Sequence, residues 1–599
     1  MYIRRLVIRN FRALKNLDIQ LQPGLTCLIG ENNSGKTTLL HALRLVLDAN
    51  LSNYTRQLSR DDFSRGVNCD EPQQILIAVE LTGFAARPEE EALVSEWATS
   101  DDVAALCYRF RPGRSARQGV KDGSRSPKSL KIEDYEWQLA GIGGKDPTLI
   151  QWDDELGAPA RFDRLCAFHI TFLQALRDVE EDLRRSRFSP LTKLLDEANL
   201  SEIEKEKLLD RLRSANDELK KEAVVTNLGE SIRSSLLQTV GDSFNFGVEV
   251  GISDPSFNSL ARSLVLLISS NGLAEADPSR NGLGLNNALY ISMLMEVFRQ
   301  RTSRSNIAGQ LLLVEEPESH LHPELQRIVF SSLQTSGCQV IATTHSTHVT
   351  SISPLKNTVI LTANRSSHST CVVPSIGCGL NSEEEKDLER YLDATRSTLL
   401  FARRVILVEG MSEVFLIPPL VKERLGIDLQ MEGIAVIAIH GTHFAAYGNL
   451  FKKGGIEKRC VVITDGDLSP ETEAEDECGG GNEDGGNPSI EGLKKLEGPF
   501  FKVIASRTTF ELELASKGNL TMLRSTATRL GAAKTAALLQ GADKKKSLSQ
   551  TELNSVGQAV LRTARRFGKA RFAQVASEFA NQANDLPAYI EEAVAWVRG

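Results

Sequence analysis

The sequence has little of what would place it outside a reducing, aqueous compartment. Its nine cysteines are odd in number and scattered, with no C-x-x-C pair, which excludes a disulfide framework and a zinc knuckle. No apolar run comes near the roughly 20 residues needed to cross a bilayer, and the longest, around Leu264–Ile268, is far shorter. The opening MYIRRLVIRNF alternates charged and apolar residues without a small-residue cleavage site, so no signal peptide is expected, and the expected compartment is the cytoplasm. Aromatic residues make up only 6% of the chain and the formal net charge is −8, so the chain as a whole exerts no electrostatic pull on nucleic acid. Any such affinity has to come from local clusters of positive charge.

Three clusters are present. Residues 1–15 carry Arg4, Arg5, Arg9, Arg12 and Lys15; residues 109–131 carry Arg109, Arg111, Arg114, Arg117, Lys121, Arg125, Lys128 and Lys131; residues 561–572 carry Arg562, Arg565, Arg566, Lys569 and Arg571. Charge runs are commonly just solvated, and for the Gly/Ser-rich middle cluster a solvated face or mobile loop is the expectation. At 599 residues the chain exceeds one hydrophobic core, so two or more domains are expected.

Local pattern divides it further. Residues 2–29 read as two strands, the second, LTCLIG, running straight into a helix with Leu39, Leu40, Leu43 and Leu47 on one face. From about 174 the sequence turns charged and helical, and Leu208, Leu212, Ala215 and Leu219 recur at helical spacing, as in a hairpin with too few heptads for a long coiled-coil arm. That stripe suits an ordinary core-facing helix and a dimer contact equally. An α/β pattern returns at 261–362, a hydrophilic stretch follows, and a second α/β segment begins with VILVEG. The acidic, glycine-rich stretch 471–491 reads as a flexible inserted loop.

Gly30-Glu31-Asn32-Asn33-Ser34-Gly35-Lys36-Thr37 fits G-x-x-x-x-G-K-[ST] and sits between a strand and a helix, the context that the motif requires. Backbone N–H groups of such a loop face phosphates, Lys36 offers a point charge to the β- and γ-phosphates, and the Thr37 hydroxyl, with Thr38 behind it, opens the helix where Mg²⁺ would sit. Leu311–Val314 run into Glu315-Glu316, as in a strand that delivers one carboxylate to Mg²⁺ and the next to an attacking water. His345 closes the following apolar strand in TTHS, where an imidazole could approach a γ-phosphate. Together GENNSGKT, LLLVEEPESHLHP and TTHS resemble the ABC ATPase superfamily, in its branch related to double-strand-break-repair ATPases. The resemblance implies ATP as ligand, Glu315 on Mg²⁺, Glu316 polarising water, Ser319–His322 as the D-loop, His345 as the switch histidine and Gln174 as a Q-loop candidate. The expected Ser-Gly-Gly element is represented only by Asn281-Gly282-Leu283-Gly284, a departure that bears on turnover rather than on binding.

In the second half, the apolar strand Val405–Val408 delivers Glu409-Gly410, with Glu413 four residues on, and CVVIT ends in Asp465-Gly466-Asp467. A glycine after the acid suits a tight strand-to-helix turn, and acids two apart in extended chain point the same way. Four acids at the carboxyl ends of adjacent parallel strands form a negative patch that is costly unless it binds cations, and hard carboxylate oxygens suit Mg²⁺ or Mn²⁺. E-G followed by D-x-D resembles the Toprim fold. With LFARRVILVEGMSE, GTHFAAYGNL, VVITDGDL and FELEL, the order of domains is similar to OLD-family nucleases, including the nuclease subunit of Gabija anti-phage systems. The resemblance implies Glu409, Glu413, Asp465 and Asp467 as metal ligands, Glu511 and Glu513 completing a two-metal site, and Lys569 of FGKARFA stabilising charge on the scissile phosphate. Alternating acids such as Glu511 and Glu513 are also common on exposed strands, and Lys569 also suits a backbone-binding basic helix.

The expected architecture is therefore α/β: an ABC-type ATPase domain in two parts, 1–173 and 261–370, around a helical insert at 174–260 that suits dimerisation, a linker at 371–398, and a Toprim domain with C-terminal helices at 399–599. The expected function is an ATP-binding, divalent-metal-dependent DNA endonuclease, nicking or double-cutting, acting in antiviral defence as a homodimer or larger even assembly such as a tetramer. A co-encoded helicase-like subunit would be a family partner. The alternatives are a DNA-binding ATPase scaffold that does not cut and an RNA-cleaving Toprim nuclease. No tyrosine is placed like a topoisomerase nucleophile and no zinc-binding segment resembles a primase's, which favours hydrolysis.

Overall fold

The computed structural model describes the chain apart from residues 69–70, 167, 176–189, 199, 241–246, 251–255, 265, 271–272, 277–281, 303–308, 365–367, 373–376, 394, 442–443, 453 and 467–487. It divides into two units, residues 1–172 with 311–316 and 339–599, and residues 173–310 with 317–338. Among the described residues, no helix is long and apolar enough to cross a membrane.

The first unit opens with β1 (Tyr2–Phe11) and β2 (Leu14–Gln20), an antiparallel pair, followed by β3 (Leu25–Gly30) and the helix α1 (Lys36–Leu47). β4 (Ile75–Thr82), β5 (Ala98–Ser100), β6 (Val103–Pro112) and β7 (Tyr135–Gly141) complete an antiparallel sheet in the order β2-β1-β4-β6-β5, with β7 also on β6. The apolar stripe of α1, including Leu39, Leu40 and Leu43, is buried in one core with Leu6, Ile8, Ile77, Val79 and Leu106 of that sheet. Burying such side chains stabilises by roughly 1.5–3 kcal/mol each. β8 (Phe168–Leu173) follows.

The second unit contains the helical hairpin α2 (Glu202–Lys221) and α3 (Ala223–Val240), the short antiparallel pair β9 (Ile268–Ser270) and β10 (Leu273–Ala276), and the helices α4 (Leu283–Thr302) and α5 (Pro323–Gln334). Ser201 caps α2 with a reciprocal bond to Glu204, which fixes where it starts. Of the stripe predicted on α2, Leu208 and Leu219 are exposed, and so are Val224, Leu228 and Ile232 on α3.

Back in the first unit, β11 (Gly309–Glu315), β12 (Gln339–Thr343), β13 (Thr358–Asn364) and β14 (His368–Val372) join β3 and β8 in a second sheet, ordered β14-β13-β3-β12-β11-β8. Strands β13, β3, β12 and β11 run parallel. A third sheet is built from β15 (Arg404–Val408), β16 (Ile434–Ala438), β17 (Cys460–Thr464) and β18 (Phe501–Ala505), all parallel and ordered β16-β15-β17-β18. The short helix α6 (Thr398–Phe401) leads into β15, and α7 (Met411–Leu425) follows it. After β18 come α8 (Phe510–Glu513), α9 (Leu520–Arg529), α10 (Ala533–Asp543), α11 (Gln550–Phe567), α12 (Lys569–Ser577) and α13 (Ala588–Arg598).

The fold absorbs most of two basic clusters, and the loop expected for the middle one is not what forms. Arg109 and Arg111 lie on β6, fully buried, and donate to Gln74 Oε1 and to the carbonyls of Gln151, Trp152 and Asp154. Arg117 bonds Pro112 O and Glu155, and Arg125 is paired with Asp134. Arg114, Lys121 and Lys128 remain exposed. In the first cluster Arg4 and Arg5 pair with Glu80, Arg5 also with Asp18, Arg12 with Asp62, and Arg9 donates to Ile150 O.

Candidate functional site

Two centres lie at the carboxyl ends of the two parallel sheets, as expected for sheets of this kind. In the first, the loop between β3 and α1 needs both of its outer glycines. A Cβ on Gly30, whose φ is +153°, would sit 2.2 Å from Leu361 O, and one on Gly35, φ +102°, would sit 2.7 Å from the Leu14 side chain. Asn33 also takes a left-handed φ of 63°, while Asn32 is exposed and Ser34 buried. Lys36 is buried at the start of α1, its Nζ donating to Gly30 O at 2.8 Å and Glu31 O at 2.7 Å. Thr37 is exposed and Thr38 half-buried in the same first turn.

Strand order does the rest. β12 lies between β3 and β11, with Thr343 in register with both Leu28 and Glu315, so the loop, Glu315-Glu316 and His345 come to one end of the sheet. Glu315 Oε1 is buried with no hydrogen-bond partner among the described residues, as suits an oxygen left for a cation. Glu316 adopts φ 43° and its N–H donates to Thr343 O at 3.1 Å, a strained turn at a chemical position. His345 Nε2 lies 3.8 Å from Glu316 Oε1, and burial together with the nearby Lys36 lowers the imidazole pKa, keeping it neutral. In the second unit, Gly284 is the glycine that matters in the predicted signature segment: its Cβ would meet His320 O at 2.5 Å. Asn287 Nδ2 donates to Ser319 O at 3.0 Å beside it. Asn281 lies outside the described residues, and Gln174 is described without a geometry that tests it as a nucleotide contact.

The second centre sits on β15 and β17, which are hydrogen-bonded neighbours. Glu409 Oε1 accepts from Thr464 Oγ1 at 2.6 Å and from the Asp465 N–H at 2.8 Å. Asp465 Oδ1 accepts from the Phe510 N–H at 3.0 Å, at the first turn of α8. Each carboxylate is thereby held by one oxygen, and the other has no hydrogen-bond donor among the described residues. Glu413 is buried on α7, and Glu511 on α8 is 2% exposed. α12 packs on α7 through Phe572, Ala573 and Ala576 in the core shared with Leu416 and Leu420, which sets Lys569 Nζ 3.0 Å from Glu511 Oε2. That is an ion-pair distance without hydrogen-bond alignment, and Glu511 Oε2 is otherwise buried without a partner.

These acids repel one another. Burial first, then Glu409 and Glu413, push the Asp465 carboxyl up to about 8, against the pull of Lys569. Burial, then Glu511 and Glu409, push Glu413 up to about 7. Perturbation of this kind marks chemical sites. Tyr589 of α13 faces the same cluster: burial and then Asp465, Glu413, Glu513 and Glu511 raise its phenol well above the usual range. No sequence signal pointed to it, because it arrives from a helix more than 120 residues after Asp465.

Two expectations change. FELEL is a short helix and not an exposed strand, so Glu511 turns into the cluster while Glu513 Oε1 accepts from Thr508 N and Oγ1, both at 3.0 Å. Gly410 is extended, φ −145°, and a Cβ there would make only ordinary contact with Glu413, so the turn does not require it. The demanding glycine is Gly466, where a Cβ would stand 2.2 Å from Ser506 O. Asp467 lies outside the described residues. Among those described, no three His, Cys, Asp or Glu side chains are already arranged around a single point. The donor chemistry nevertheless fits a hard divalent cation, since the neutralising charge that Glu409, Glu413, Asp465 and Glu511 call for exceeds what Lys569 alone brings.

Comparison with known proteins agrees with this division. Residues 25–351 match an AAA-domain family whose description names the AbiEii toxin and a Type IV TA system. Residues 400–467 match the "Overcoming lysogenization defect protein-like, TOPRIM domain" family. The chain is 24% identical to the Old nuclease of Escherichia phage P2, over 75% of this chain and 74% of that protein. It is 26% identical to the OLD nuclease of Thermus scotoductus, over 79% and 84%, and 20% identical to the Endonuclease GajA of Bacillus cereus (strain VD045), over 78% and 75%. With its nucleotide loop, its acid-bearing parallel sheet and these two domains in this order, the chain belongs to the OLD family of ATPase–Toprim proteins.

Proposed function

We propose that the protein is a divalent-metal-dependent DNA endonuclease, nicking or double-cutting, whose ATPase domain regulates it and which serves in anti-phage defence. The observation that carries this reading is the cluster of Glu409, Glu413, Asp465 and Glu511 with Lys569 at its edge. The relatives named as nucleases support the reaction class. ATP is the ligand that the loop at Gly30–Thr38 suits. An even assembly, dimer or tetramer, would use the exposed apolar residues of α2 and α3, and a helicase-like co-encoded subunit is a partner by family analogy only.

In this mechanism the chain's own residues do four things. Thr464 and the Asp465 N–H fix the Glu409 carboxylate, and the Phe510 N–H fixes Asp465, so one oxygen of each is anchored and the other is left for a cation. Glu413 and Glu511 supply further negative charge from α7 and α8. Lys569, half-exposed, reaches the edge of the cluster where a phosphate would enter and offsets charge building on it. Cations held there, Mg²⁺ or Mn²⁺, would supply the Lewis acid and the activated water for an in-line displacement. No protein nucleophile is needed. In the ATPase domain, Glu316 would orient water and the neutral His345, 3.8 Å from it, would sense the terminal phosphate.

The test is supercoiled plasmid with Mg²⁺ or Mn²⁺, with and without ATP. The parent protein is expected to give nicked or linear product, and Glu409→Gln to lose several kcal/mol of transition-state stabilisation, about a thousandfold in rate. Intact plasmid with the parent under every metal and nucleotide condition would favour the non-cutting scaffold; product from RNA alone would favour the RNA nuclease.

A further inference from the structure

In the last of the three basic clusters Lys569 is held beside Glu511, whereas Arg562 and Arg566 are left to solvent. Arg562 and Arg566 are one helical turn apart on α11 and exposed, and across from them Lys534 stands in the first turn of α10. These three side chains have no ion-pair partner among the described residues. The two described carboxylates on α10 and α11 are engaged elsewhere, Asp543 by Arg524 at 3.1 Å and Glu552 by Lys545. Between the helices is an open cleft of about 540 Å³, lined by Lys534, Thr535, Arg562, Thr563, Arg566 and Phe567. Its floor is polar and ordered: the Thr535 and Thr563 hydroxyls are 2.9 Å apart, and Thr563 Oγ1 also donates to Ala559 O. The N-terminal turn of α10, which no side chain caps, forms part of its wall.

Position gives the cleft its meaning. Phe567 lines it, Gly568 ends α11 and Lys569 begins α12, so a single residue separates the cleft from the lysine beside the acid cluster, at most about 7 Å of chain. We propose that the α10–α11 cleft is a phosphodiester-binding subsite that grips the nucleic-acid backbone next to the bond to be cut, with Lys534, Arg562 and Arg566 as its cations. The proposal rests on the nuclease reading above and adds to it the element that holds the substrate. Backbone grip of this kind carries no sequence information and fixes register. Two cations on one helix face and a third on the opposite wall suit a strand lying along the cleft better than a single small anion.

The test uses the full-length protein with Ca²⁺ and a labelled DNA duplex, reading affinity against salt concentration. Replacing Lys534, Arg562 and Arg566 together by Ala is expected to weaken binding on the order of ten- to a hundredfold and to cut the slope of log affinity on log salt by about 2.7, with Lys at all three positions restoring most of the slope. With Mg²⁺, the Ala triple is expected to raise KM and leave kcat within about threefold. Arg114→Ala with Lys121→Ala and Lys128→Ala is the control, expected to leave the slope unchanged. Equal losses in the two triples, or none in the first, overturn the proposal. Titration with inorganic phosphate separates the sources: cleft-dependent binding of phosphate as tight as that of duplex would make this a small-anion site and overturn it too. A parent protein that binds duplex through the cleft yet never cuts would sink the nuclease reading and leave the subsite standing.

Discussion

At the loop after β3 the surplus charge is positive and the protein satisfies it: the Lys36 ammonium is held by the carbonyls of Gly30 and Glu31. At the ends of β15 and β17 the surplus is negative and the protein does not satisfy it: Asp465 and Glu413 hold their protons up to about pH 8 and 7, and Glu511 Oε2 is buried beside one cation without alignment. The difference teaches how each centre responds to its ligand. A phosphate arriving at the loop competes with two hydrogen bonds already made, so binding exchanges one set for another. A cation arriving at the acids competes with protons and relieves repulsion, so its binding stabilises the fold around it.

The largest expected break in this comparison is with pH. Asp465 and Glu413 have folded-state pKa values above their ordinary values of 3.8 and 4.5, so the folded protein binds more protons than the unfolded chain between those values and about 7–8. Their contribution to stability is full below the ordinary values and is lost as pH rises through the folded ones. Metal-free protein is therefore expected to lose on the order of a few kcal/mol between pH 5 and 8, Asp465→Asn to lose clearly less, and Mg²⁺ or Mn²⁺ to restore more at pH 8 than at pH 6. Thermal melts in chelator and in metal read all three; a pH-independent melt of the metal-free parent would show that the acids are not in conflict.

The opposite centre gives the next effect. Lys36→Ala removes a buried charge that meets phosphate, an interaction of about 1.5–3 kcal/mol, so ATP affinity is expected to fall roughly ten- to a hundredfold by titration with a fluorescent analogue. The cation-dependent rise in melting temperature should persist, because no acid is touched. Loss of both responses in Lys36→Ala would mean that the two centres are one cooperative device.

What could be read in advance follows from this same asymmetry. Strands that end in chemistry announce themselves as short apolar runs closed by an acid or a glycine, so β3, β11, β15 and β17 were legible together with Lys36, Glu315, Glu409 and Asp465. Glu511 was harder, because FELEL alternates like a strand and only the turn after β18 makes it a helix that buries one acid and spends the other on Thr508. The basic clusters were least legible. Whether an arginine faces solvent or a carboxylate depends on partners far along the chain: Glu80 for Arg4, Glu155 for Arg117 and the carbonyls at 151–154 for Arg109. Charge counting by segment cannot see those pairs, and so it could not separate the arginines that the fold buries from Arg562 and Arg566, which stay exposed.

The smallest effect concerns the link between the centres. Arg403, just before β15, is ion-paired at 3.0 Å with Glu31 of the nucleotide loop, while Ile29 of β3 is buried in one core with Leu400, Val405 and Leu407. The ion pair is the visible connection, yet the Arg403 side chain is 64% exposed. Pairs of that kind contribute little after side-chain ordering and salt screening, whereas the packing around Ile29 excludes water and leaves no slack. Arg403→Ala is therefore expected to change stability by less than about 0.5 kcal/mol and ATP affinity by less than about threefold. Should that single substitution instead uncouple cleavage from nucleotide, the exposed pair and not the apolar seam would carry the signal between a satisfied cation and an unsatisfied set of acids.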